Sequence, residues 1–397
     1  MKITDLRCAV IGNHPVVRIL TDEGIDGYGQ GESSKPYLKP FVMHFRDQVI
    51  GADPTDVERT MLRIRQRGSF KPYGTAVSMI EMALWDIAGK AAGLPVHKML
   101  GGKVRDRVAT YNGNIRFRME YHTPEDYADN MMKMKDLPEG FKLIKQGVGF
   151  HSPMKYMDDF YFGEPQPRLS HGLLDRGMLT EKGLNHIVDC VEAMKSVLGE
   201  DVMLALDCGP GFMPPDALRL AKRLEHLHIA WLEDMITGDY VPYVLADVYR
   251  DLTMSTSVPI HTGEQIYLRQ NFRELIETQA VNIIGPDPAD VGGIAELKWI
   301  TEYADLHGIM MAPHGTLDGL LGLAALVQVS TTLPMNYIAF EYPTGQPEWW
   351  YDIVDGLPDP IVQNGEIEVW DRPGMGVNLI PEEAQKYLNE EDRDFFS

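Results

Sequence analysis

The sequence contains few cysteines and no long apolar run. It has 3 cysteines in 397 residues, at positions 8, 190 and 208, and none lies in a Cys-x-x-Cys pair. This pattern argues against a disulfide framework and favours a reducing compartment. The longest mostly apolar stretch, residues 319–329, is too short and too interrupted to span a bilayer. The first residues, Met-Lys-Ile-Thr-Asp-Leu-Arg, are charged where a signal peptide would be apolar, so we expect a cytoplasmic protein.

Positive charge is also scarce. The chain has 37 Lys and Arg against 58 Asp and Glu, a formal net charge of −21, and no basic block of five or more residues. Nucleic acids and anionic membranes attract the opposite charge, so neither is an expected partner. An anionic small-molecule substrate would need a local positive group to hold it.

The length and the 44% of hydrophobic residues indicate two domains with a sizeable core. Residues 1–105 read as a small α+β unit, with strands at 16–20 and up to 28, and a helix at 76–92. From 106 to 358, short apolar runs alternate with longer amphipathic runs. Residues 359–397 contain a strand candidate at 365–370 and a short helix at 382–388, and we expect this tail to return to the first unit.

Eight strand candidates fall in the middle region, with room for a helix between each pair. They lie at 108–111, 143–147, 203–207, 230–233, 260–264, 281–287, 309–314 and 337–341. Alternating βα units in this number predict a parallel barrel with its helices outside.

Six successive strands, from the third onward, end in an ionisable residue. These residues are Asp207, Glu233, Glu264, Asp287, His314 and Glu341. The carboxyl ends of barrel strands share one rim, which is where barrel enzymes hold their active sites.

Asp207, Glu233 and Glu264 lie on three consecutive strands of this set. Three carboxylates form a site of hard oxygen ligands, which suits Mg²⁺, whereas histidine and cysteine would indicate zinc. Each carboxylate alone could instead cap the helix that follows it. The regular spacing of the three favours the metal site.

Asp287 and His314 follow on the next two strands. A carboxylate beside an imidazole fixes its tautomer and raises its basicity, which is the arrangement of a general base. A single histidine is more often structural, but the pairing across neighbouring strands favours catalysis.

The chain resembles the mandelate racemase group of the enolase superfamily over nearly its whole length. The resemblance rests on Ala-Leu-Trp-Asp-Ile-Ala-Gly-Lys at 83–90, Leu-Gly-Gly at 100–102, Trp-Leu-Glu-Asp at 231–234, Gly-Glu at 263–264 and Val-Gly-Gly-Ile at 291–294. It implies a modified (β/α)7β barrel under an α+β capping domain built from both termini. It also implies Mg²⁺ on the three strand-end acids, removal of a proton α to a carboxylate, and a homo-oligomer.

Two further residues take their expected roles from this resemblance. Lys145 matches the first lysine of the family's second-strand Lys-x-Lys and would neutralise developing charge. Glu341 matches the eighth-strand acid and would hydrogen-bond the substrate carboxylate if it is protonated.

Departures from the family pattern narrow the expected reaction. Gly147 replaces the second lysine of Lys-x-Lys, and Gly209 stands where the family often has asparagine or histidine. We therefore expect one base, His314, and a β-elimination as in the family's sugar-acid dehydratases, giving a 2-keto-3-deoxy acid. A racemase, epimerase or cycloisomerase of the same group and a non-catalytic barrel with a binding role stay open as alternatives.

Between residues 148 and 180 the chain is about 30 residues longer than the later strand intervals predict, and this stretch is rich in aromatic residues and proline. We interpret it as a lid or an interface element, with a plain exposed insertion as the alternative.

The His-Leu-His run at 226–228 resembles a zinc motif but lies away from the acidic rim. The glycine-rich run from 24 to 31 is interpreted as flexible capping loops. Substrate specificity is expected there, near His14 and residues 33–37, and in the insertion.

Overall fold

The computed structural model describes residues 1–163, 176–236, 245–315, 318–343, 347 and 349–397. In these ranges the strands are β1 Ile3–Ile11, β2 His14–Thr21, β3 Asp26–Gln30, β4 Arg107–Tyr111, β5 Leu143–Gly147, β6 Tyr161–Phe162, β7 Met178–Leu179, β8 Met203–Asp207, β9 Trp231–Glu233, β10 Ile260–Thr262, β11 Ile283–Ile284, β12 Met310–Met311, β13 Phe340–Glu341, β14 Val354–Asp355, β15 Glu366–Glu368 and β16 Asn378–Leu379. The helices are α1 Lys39–Met43, α2 Arg46–Val49, α3 Val57–Gly68, α4 Gly74–Ala92, α5 Val96–Met99, α6 Pro124–Lys135, α7 Glu181–Leu198, α8 Pro214–Leu224, α9 Ala246–Met254, α10 Arg273–Glu277, α11 Ile294–Leu306, α12 Gly319–Ser330, α13 Trp349–Asp352 and α14 Pro381–Ala384.

The N-terminal unit is an antiparallel sheet covered by helices. Its strands lie in the order β1-β2-β3, and β1 pairs with β2 from Ile3 opposite Thr21 to Ile11 opposite His14. Helix α4 packs on this sheet and is buried along most of its length, because it is covered on several sides. A mostly apolar helix of this kind is stable only inside a protein.

The glycine-rich run is a packing surface in this structure, so its interpretation as flexible capping loops is wrong. Gly27 and Gly29 lie in β3, directly against α4. A Cβ atom at Gly29 would lie 2.0 Å from the carbonyl oxygen of Met79, and one at Gly27 would lie 2.2 Å from that of Ala83. Glycine is required here because the backbones of strand and helix approach each other closely.

The middle of the chain forms a parallel barrel, as predicted. Six strands run in the order β12-β11-β10-β9-β8-β5, and β13 pairs in parallel with β4. Single parallel bridges from Asn112 to Ile144 and from Met311 to Tyr337 close the ring. Helices α6 to α12 lie between successive barrel strands, which gives the (β/α)7β arrangement.

Local sequence explains several barrel elements. All five residues of β5 are buried, as expected for a parallel strand covered on both faces. Helix α6 begins with a capping box, in which Thr123 accepts from the backbone N–H of Asp126, and with proline in its first turn. The apolar stretch at 319–329 is the buried helix α12. None of the helices in the described ranges has both the length and the apolarity that a membrane crossing demands.

Several barrel strands are shorter than predicted. The strand predicted at 260–264 is Ile260–Thr262, and those predicted at 281–287 and 309–314 contain only two paired residues each. Beyond each paired segment the chain is still buried but no longer paired with a neighbouring strand. An apolar run therefore predicts burial, and the paired strand can be shorter than the run.

The tail connects the barrel to the N-terminal unit. Strand β15 pairs antiparallel with β4, and β14 pairs with β16. Further on, Leu388 forms a bridge with Ile11, and the Asp392 carboxylate accepts from the backbone N–H of Val10 at 3.0 Å. The two ends of the chain therefore meet on one sheet.

The described part of the insertion is ordered against the barrel. It contains two 3₁₀ turns, Gly149–His151 and Pro153–Tyr156, and a two-stranded ribbon of β6 and β7. Phe150 contacts Phe160 and Phe212 edge to face. The remainder of the predicted insertion, residues 164–175, lies outside the described residues.

Candidate active site

The predicted site residues gather at the carboxyl rim of the barrel. Asp207, Glu233 and Glu341 are the last residues of β8, β9 and β13, and Asp207 lies beside Glu233 in the parallel register. Glu264, Asp287 and His314 lie two or three residues beyond the ends of β10, β11 and β12. The strand ends and the loops that follow them therefore place these side chains together at the carboxyl rim of the barrel.

Lys145 lies inside this ring of acids. Its ammonium group donates to Glu233 Oε1 at 2.7 Å and to Glu341 Oε2 at 3.1 Å, and it lies 3.9 Å from Asp207 Oδ2. The side chain is 2% exposed. Burial by itself would lower the pKa of Lys145, but Glu233 and Glu341 hold it well above its usual value. The site therefore contains a permanent positive charge in a negatively charged protein.

The charge of Lys145 also acts on its neighbours. Burial favours the neutral form of Glu233, yet the nearby ammonium group lowers the pKa of this carboxyl. The indole N–H of Trp231 donates to Glu233 Oε2 at 2.8 Å, which holds the second oxygen in place. Glu233 is consequently an ionised, oriented carboxylate.

His314 and Asp287 form a close pair. The Nδ1 atom of His314 lies 2.6 Å from Asp287 Oδ2, and its Nε2 atom lies 3.4 Å from Glu264 Oε2 and 3.5 Å from Glu341 Oε2. Burial would lower the pKa of His314, but Glu264 and Glu341 raise it well above its usual value. Asp287 fixes the ring through Nδ1, so Nε2 is the atom that faces the acid ring.

Asp207, Glu233 and Glu264 offer the donor set that Mg²⁺ prefers, since all three supply oxygen and their strands are adjacent. In this structure their ligand atoms do not all lie within 4.8 Å of one another; among the described residues, the one group of three that meets this limit is Glu32, Asp287 and Asp318. The donor chemistry of the predicted trio fits Mg²⁺.

The structure brings a second histidine to the rim, and sequence reasoning missed it. His151 Nδ1 lies 3.3 Å from Asp207 Oδ1, with its side chain 30% exposed. A Cβ atom at Gly147 would lie 3.0 Å from the His151 ring, and one at Gly209 would lie 2.9 Å from His151 Cβ. His151 therefore covers the two positions at which the expected side chains are absent.

The expectation of one base, His314, stays a prediction, but the rim holds a second imidazole that the sequence analysis did not place there. His151 comes from the loop after β5, and His314 comes from the loop after β12, at the other end of the six-strand order. The signal was present in the sequence, since His151 follows Gly147 by four residues. The alternation of side chains along a strand predicts only which face each strand residue takes. It does not predict that His151, in the loop after β5, lies over the end of that strand.

Arg116 is another cation near Asp207. A Cβ atom at Gly147 would lie 3.6 Å from Arg116 Nη1. Burial would raise the pKa of Asp207, but His151, Lys145 and Arg116 together lower it. Three basic side chains therefore favour the ionised form of this carboxyl.

A loop of the N-terminal unit closes one side of the rim. Lys35 Nζ lies 2.5 Å from Asp290 Oδ2 and 3.0 Å from Glu32 Oε1, and Thr75 donates to Asp290 Oδ1. Ser34 donates to Glu32 Oε2 at 2.7 Å. We call Glu32, Lys35, Thr75 and Asp290 the loop latch, because they join this loop to the barrel.

The zinc-like His-Leu-His run lies elsewhere. His226 is exposed, with its Nε2 3.6 Å from Glu192 Oε1, and the run precedes β9, at the opposite end of that strand from Glu233. It contributes nothing to the rim.

Comparison with known proteins gives consistent results. A family model described as Enolase C-terminal domain-like matches residues 132–384, and one described as Mandelate racemase / muconate lactonizing enzyme, N-terminal domain, matches residues 11–101. The chain is 32% identical to the D-xylonate dehydratase of Haloferax volcanii, over 98% of this chain and 89% of that protein. It is 30% identical to a D-mannonate dehydratase of Caulobacter vibrioides, over 98% and 95% of the two chains.

A solved structure is similar over nearly the whole chain. The mandelate racemase/muconate lactonizing enzyme-like protein from Rubrobacter xylanophilus superposes with a TM-score of 0.82 at 28% identity, covering 98% of each chain. The fold and the rim together define a barrel enzyme with an N-terminal capping domain. The chain belongs to the enolase superfamily, in its mandelate racemase group, and it is an enzyme of the hydro-lyase type. Members of this superfamily depend on a metal.

Proposed function

We propose that the protein is a Mg²⁺-dependent dehydratase of a sugar acid. It would remove the proton α to the carboxylate and eliminate the β-hydroxyl, giving a 2-keto-3-deoxy acid. The observation that carries the proposal is the His314–Asp287 pair, with Nε2 facing Glu264 and Glu341 at the rim. The relatives named D-xylonate and D-mannonate dehydratase support this class of substrate.

Asp207, Glu233 and Glu264 would hold the metal. When bound, Mg²⁺ would supply positive charge to the substrate carboxylate, where negative charge develops as the α-proton leaves. Lys145 would add a fixed positive charge beside the same carboxylate. Glu341, held by Lys145, would hydrogen-bond a carboxylate oxygen when it carries a proton.

His314 would take the α-proton at Nε2, because Asp287 occupies Nδ1. The α C–H bond and the β C–O bond break, one water molecule leaves, and the enol product tautomerises to the keto acid. The reaction needs no oxidant or reductant. The proton for the leaving hydroxyl would come from His314 if the two groups are syn, or from His151 if they lie on opposite faces.

His151 also favours a second candidate function. A racemase or epimerase needs a proton-transferring group on each face of the α-carbon, and the rim carries imidazoles after β5 and after β12. Dehydration and racemisation therefore share the same residues here. Formation of a keto acid distinguishes them.

The test is a screen of aldonic acids with Mg²⁺, measuring keto-acid formation, followed by NMR of the reaction in D₂O. We expect keto acid from at least one five- or six-carbon sugar acid, which is a small anionic substrate. We also propose that the protein is cytoplasmic and forms a homo-oligomer. Exchange of the α-proton with no keto acid formed would favour the racemase or epimerase. A purified protein without exchange or product on any acid would favour a binding role.

A further inference from the structure

Asp318 is a buried acid that the proposed chemistry does not use. It directly precedes helix α12, where aspartate usually accepts a hydrogen bond from a backbone N–H of the first turn. No such bond is made here, and the residue is 0% exposed. Across the part of the chain that the structure describes, neither carboxyl oxygen of Asp318 has a hydrogen-bond partner.

The unused carboxyl faces two other acids. An oxygen of Asp318, one of Asp287 and one of Glu32 all lie within 4.8 Å of one another. The other two are satisfied: Asp287 holds His314 and accepts from the backbone N–H of Ala289 at 2.6 Å, and Glu32 accepts from Ser34 and Lys35. Among the described residues, Asp318 is the one acid of this group without a donor.

The charges around Asp318 decide its state. It faces Glu32 from the loop after β3, Asp287 and Asp290 from the segment after β11, and His314 from the segment after β12. Lys35 contacts Glu32 and Asp290 of this group. If Asp318 were ionised, four carboxylates would share one permanent cation, Lys35, and the imidazole of His314 in a buried space. Burial, together with Asp287 and Glu32, raises the pKa of Asp318 well above its usual value.

A cation is the other way to satisfy three acids, but the oxygens are poorly disposed for one. Both oxygens of Asp287 already accept hydrogen bonds, and the ammonium group of Lys35 lies 3.0 Å from Glu32 Oε1. A metal ion would have to displace His314 from Asp287 or compete with Lys35. A proton on Asp318 requires neither change.

We infer that Asp318 is a neutral carboxylic acid that positions Asp287 and Glu32, and through Asp287 the imidazole of His314. Its hydroxyl would donate to Asp287 or Glu32, in addition to the donors that these two carboxylates already have. Asp318 would thereby connect the base to the loop latch, since Glu32 belongs to both groups. The role in positioning His314 rests on the proposed function, whereas the neutral state of Asp318 does not.

The neutral state is tested directly by infrared difference spectroscopy on the purified protein with ¹³C-labelled aspartate. We expect the carbonyl stretch of a neutral carboxyl group at pH 7 in the wild type. The same band should be absent from Asp318→Asn and retained in Asp305→Asn, a matched change at an exposed position. A wild type without this band would overturn the proposal, whatever the enzyme's reaction.

The positioning role is tested by activity. Asp318→Leu should lower kcat by about tenfold, the worth of one hydrogen bond to a charged group, with little change in KM. It should also displace the acidic limb of the pH profile, because Asp287, the partner of His314, loses the group that positions it. Asp318→Asn, an uncharged donor of similar size, should recover most of the loss. Equal losses in both variants with unchanged pH profiles would show a purely structural residue and contradict the role.

Metal content provides the remaining control. Wild type and Asp318→Asn should contain the same number of metal ions per chain after incubation with excess Mg²⁺ and gel filtration. Loss of one ion per chain in Asp318→Asn would establish a cation site at these three acids instead. Folding of each variant is checked by its circular dichroism spectrum.

Discussion

The ammonium group of Lys145 lies among carboxylates, so a substitution at one residue of the rim changes the charge balance of its neighbours. Glu233 shows this most clearly, because it contacts Lys145 at 2.7 Å and Trp231 at 2.8 Å. Its charge serves two purposes in the proposed site, as a metal ligand and as the partner of a buried cation. For substitutions at Glu233, metal binding must therefore be measured as well as activity.

Replacing Glu233 with glutamine should abolish activity and weaken Mg²⁺ binding, because a neutral amide is a poorer ligand than a carboxylate. Mg²⁺ titration by calorimetry and a keto-acid assay measure the two effects. Glu200→Gln, at an exposed position, is the control and should bind Mg²⁺ as the wild type does. Full activity in Glu233→Gln would remove this residue from the metal site.

Replacing His314 with asparagine should lower dehydration by roughly two to four orders of magnitude, the usual contribution of a general base. Substrate and metal binding should persist, since asparagine fits the space and the three acids are unchanged. Exchange of the α-proton in D₂O, followed by NMR, should also be lost. Exchange at the wild-type rate would show that another group, with His151 the nearest candidate, removes the proton.

His151→Asn separates the two histidines. If His151 assists departure of the hydroxyl, this variant should exchange the α-proton at close to the wild-type rate while dehydration falls by roughly two orders of magnitude. Proton exchange and keto-acid release, measured in one NMR time course, give the ratio directly. A variant that keeps both rates would leave His314 as the acid and the base, in a syn elimination.

At the scale of single elements, the contact between β3 and α4 holds the N-terminal unit together. The strand can lie against the helix because Gly27 and Gly29 have no side chain. This contact also fixes the start of the loop that carries Glu32 and Lys35. Packing in the N-terminal unit therefore helps to position the loop that lies against one side of the rim.

Gly29→Ala should lower the melting temperature strongly, because its Cβ would lie 2.0 Å from the Met79 carbonyl oxygen and force the two backbones apart. Overpacking of this kind costs roughly 1–3 kcal/mol or more. Gly51→Ala is a suitable comparison, since a Cβ there meets nothing within 4 Å and only the positive φ is unfavourable. A smaller loss for Gly29→Ala than for Gly51→Ala, in thermal melts, would contradict this account.

Much of the element order was predictable, because apolar runs and helical periodicity are local properties of the sequence. The eight barrel strands and the acids at 207, 233, 264 and 341 follow from such patterns. The approach of His151 to Asp207 and the pairing of Lys35 with Asp290 do not, because loop conformation depends on distant contacts. The role of Gly27 and Gly29 was misread for the same reason, since α4 lies about 50 residues away in the sequence.

Across the whole molecule, Glu81 couples the capping unit to the barrel. It projects from α4 and accepts from the backbone N–H groups of Ile294 and Ala295, at the start of α11, and from Trp85. Burial outweighs these bonds and raises its pKa to about 7. One carboxyl therefore caps a barrel helix from the other domain.

This pKa predicts a pH dependence of stability with a definite sign. The folded value is about 7 and the unfolded value is near 4.5, so the stabilising contribution is complete below pH 4.5 and is lost as the pH rises through 7. Glu81→Gln removes the titration, so its melting temperature should rise relative to the wild type between pH 5 and pH 8. A constant difference between the two proteins across this range would refute the assignment.

The bridge between Ile11 and Leu388 joins residues from opposite ends of the chain. During synthesis at about 5–20 residues per second, the first strand would wait roughly 20–75 s for this partner to emerge from the ribosome. The edge of the first sheet stays uncovered for that time, while the barrel strands are still being made. A nascent chain of this protein thus leaves this edge of the first sheet unpaired until almost all of its residues have been made.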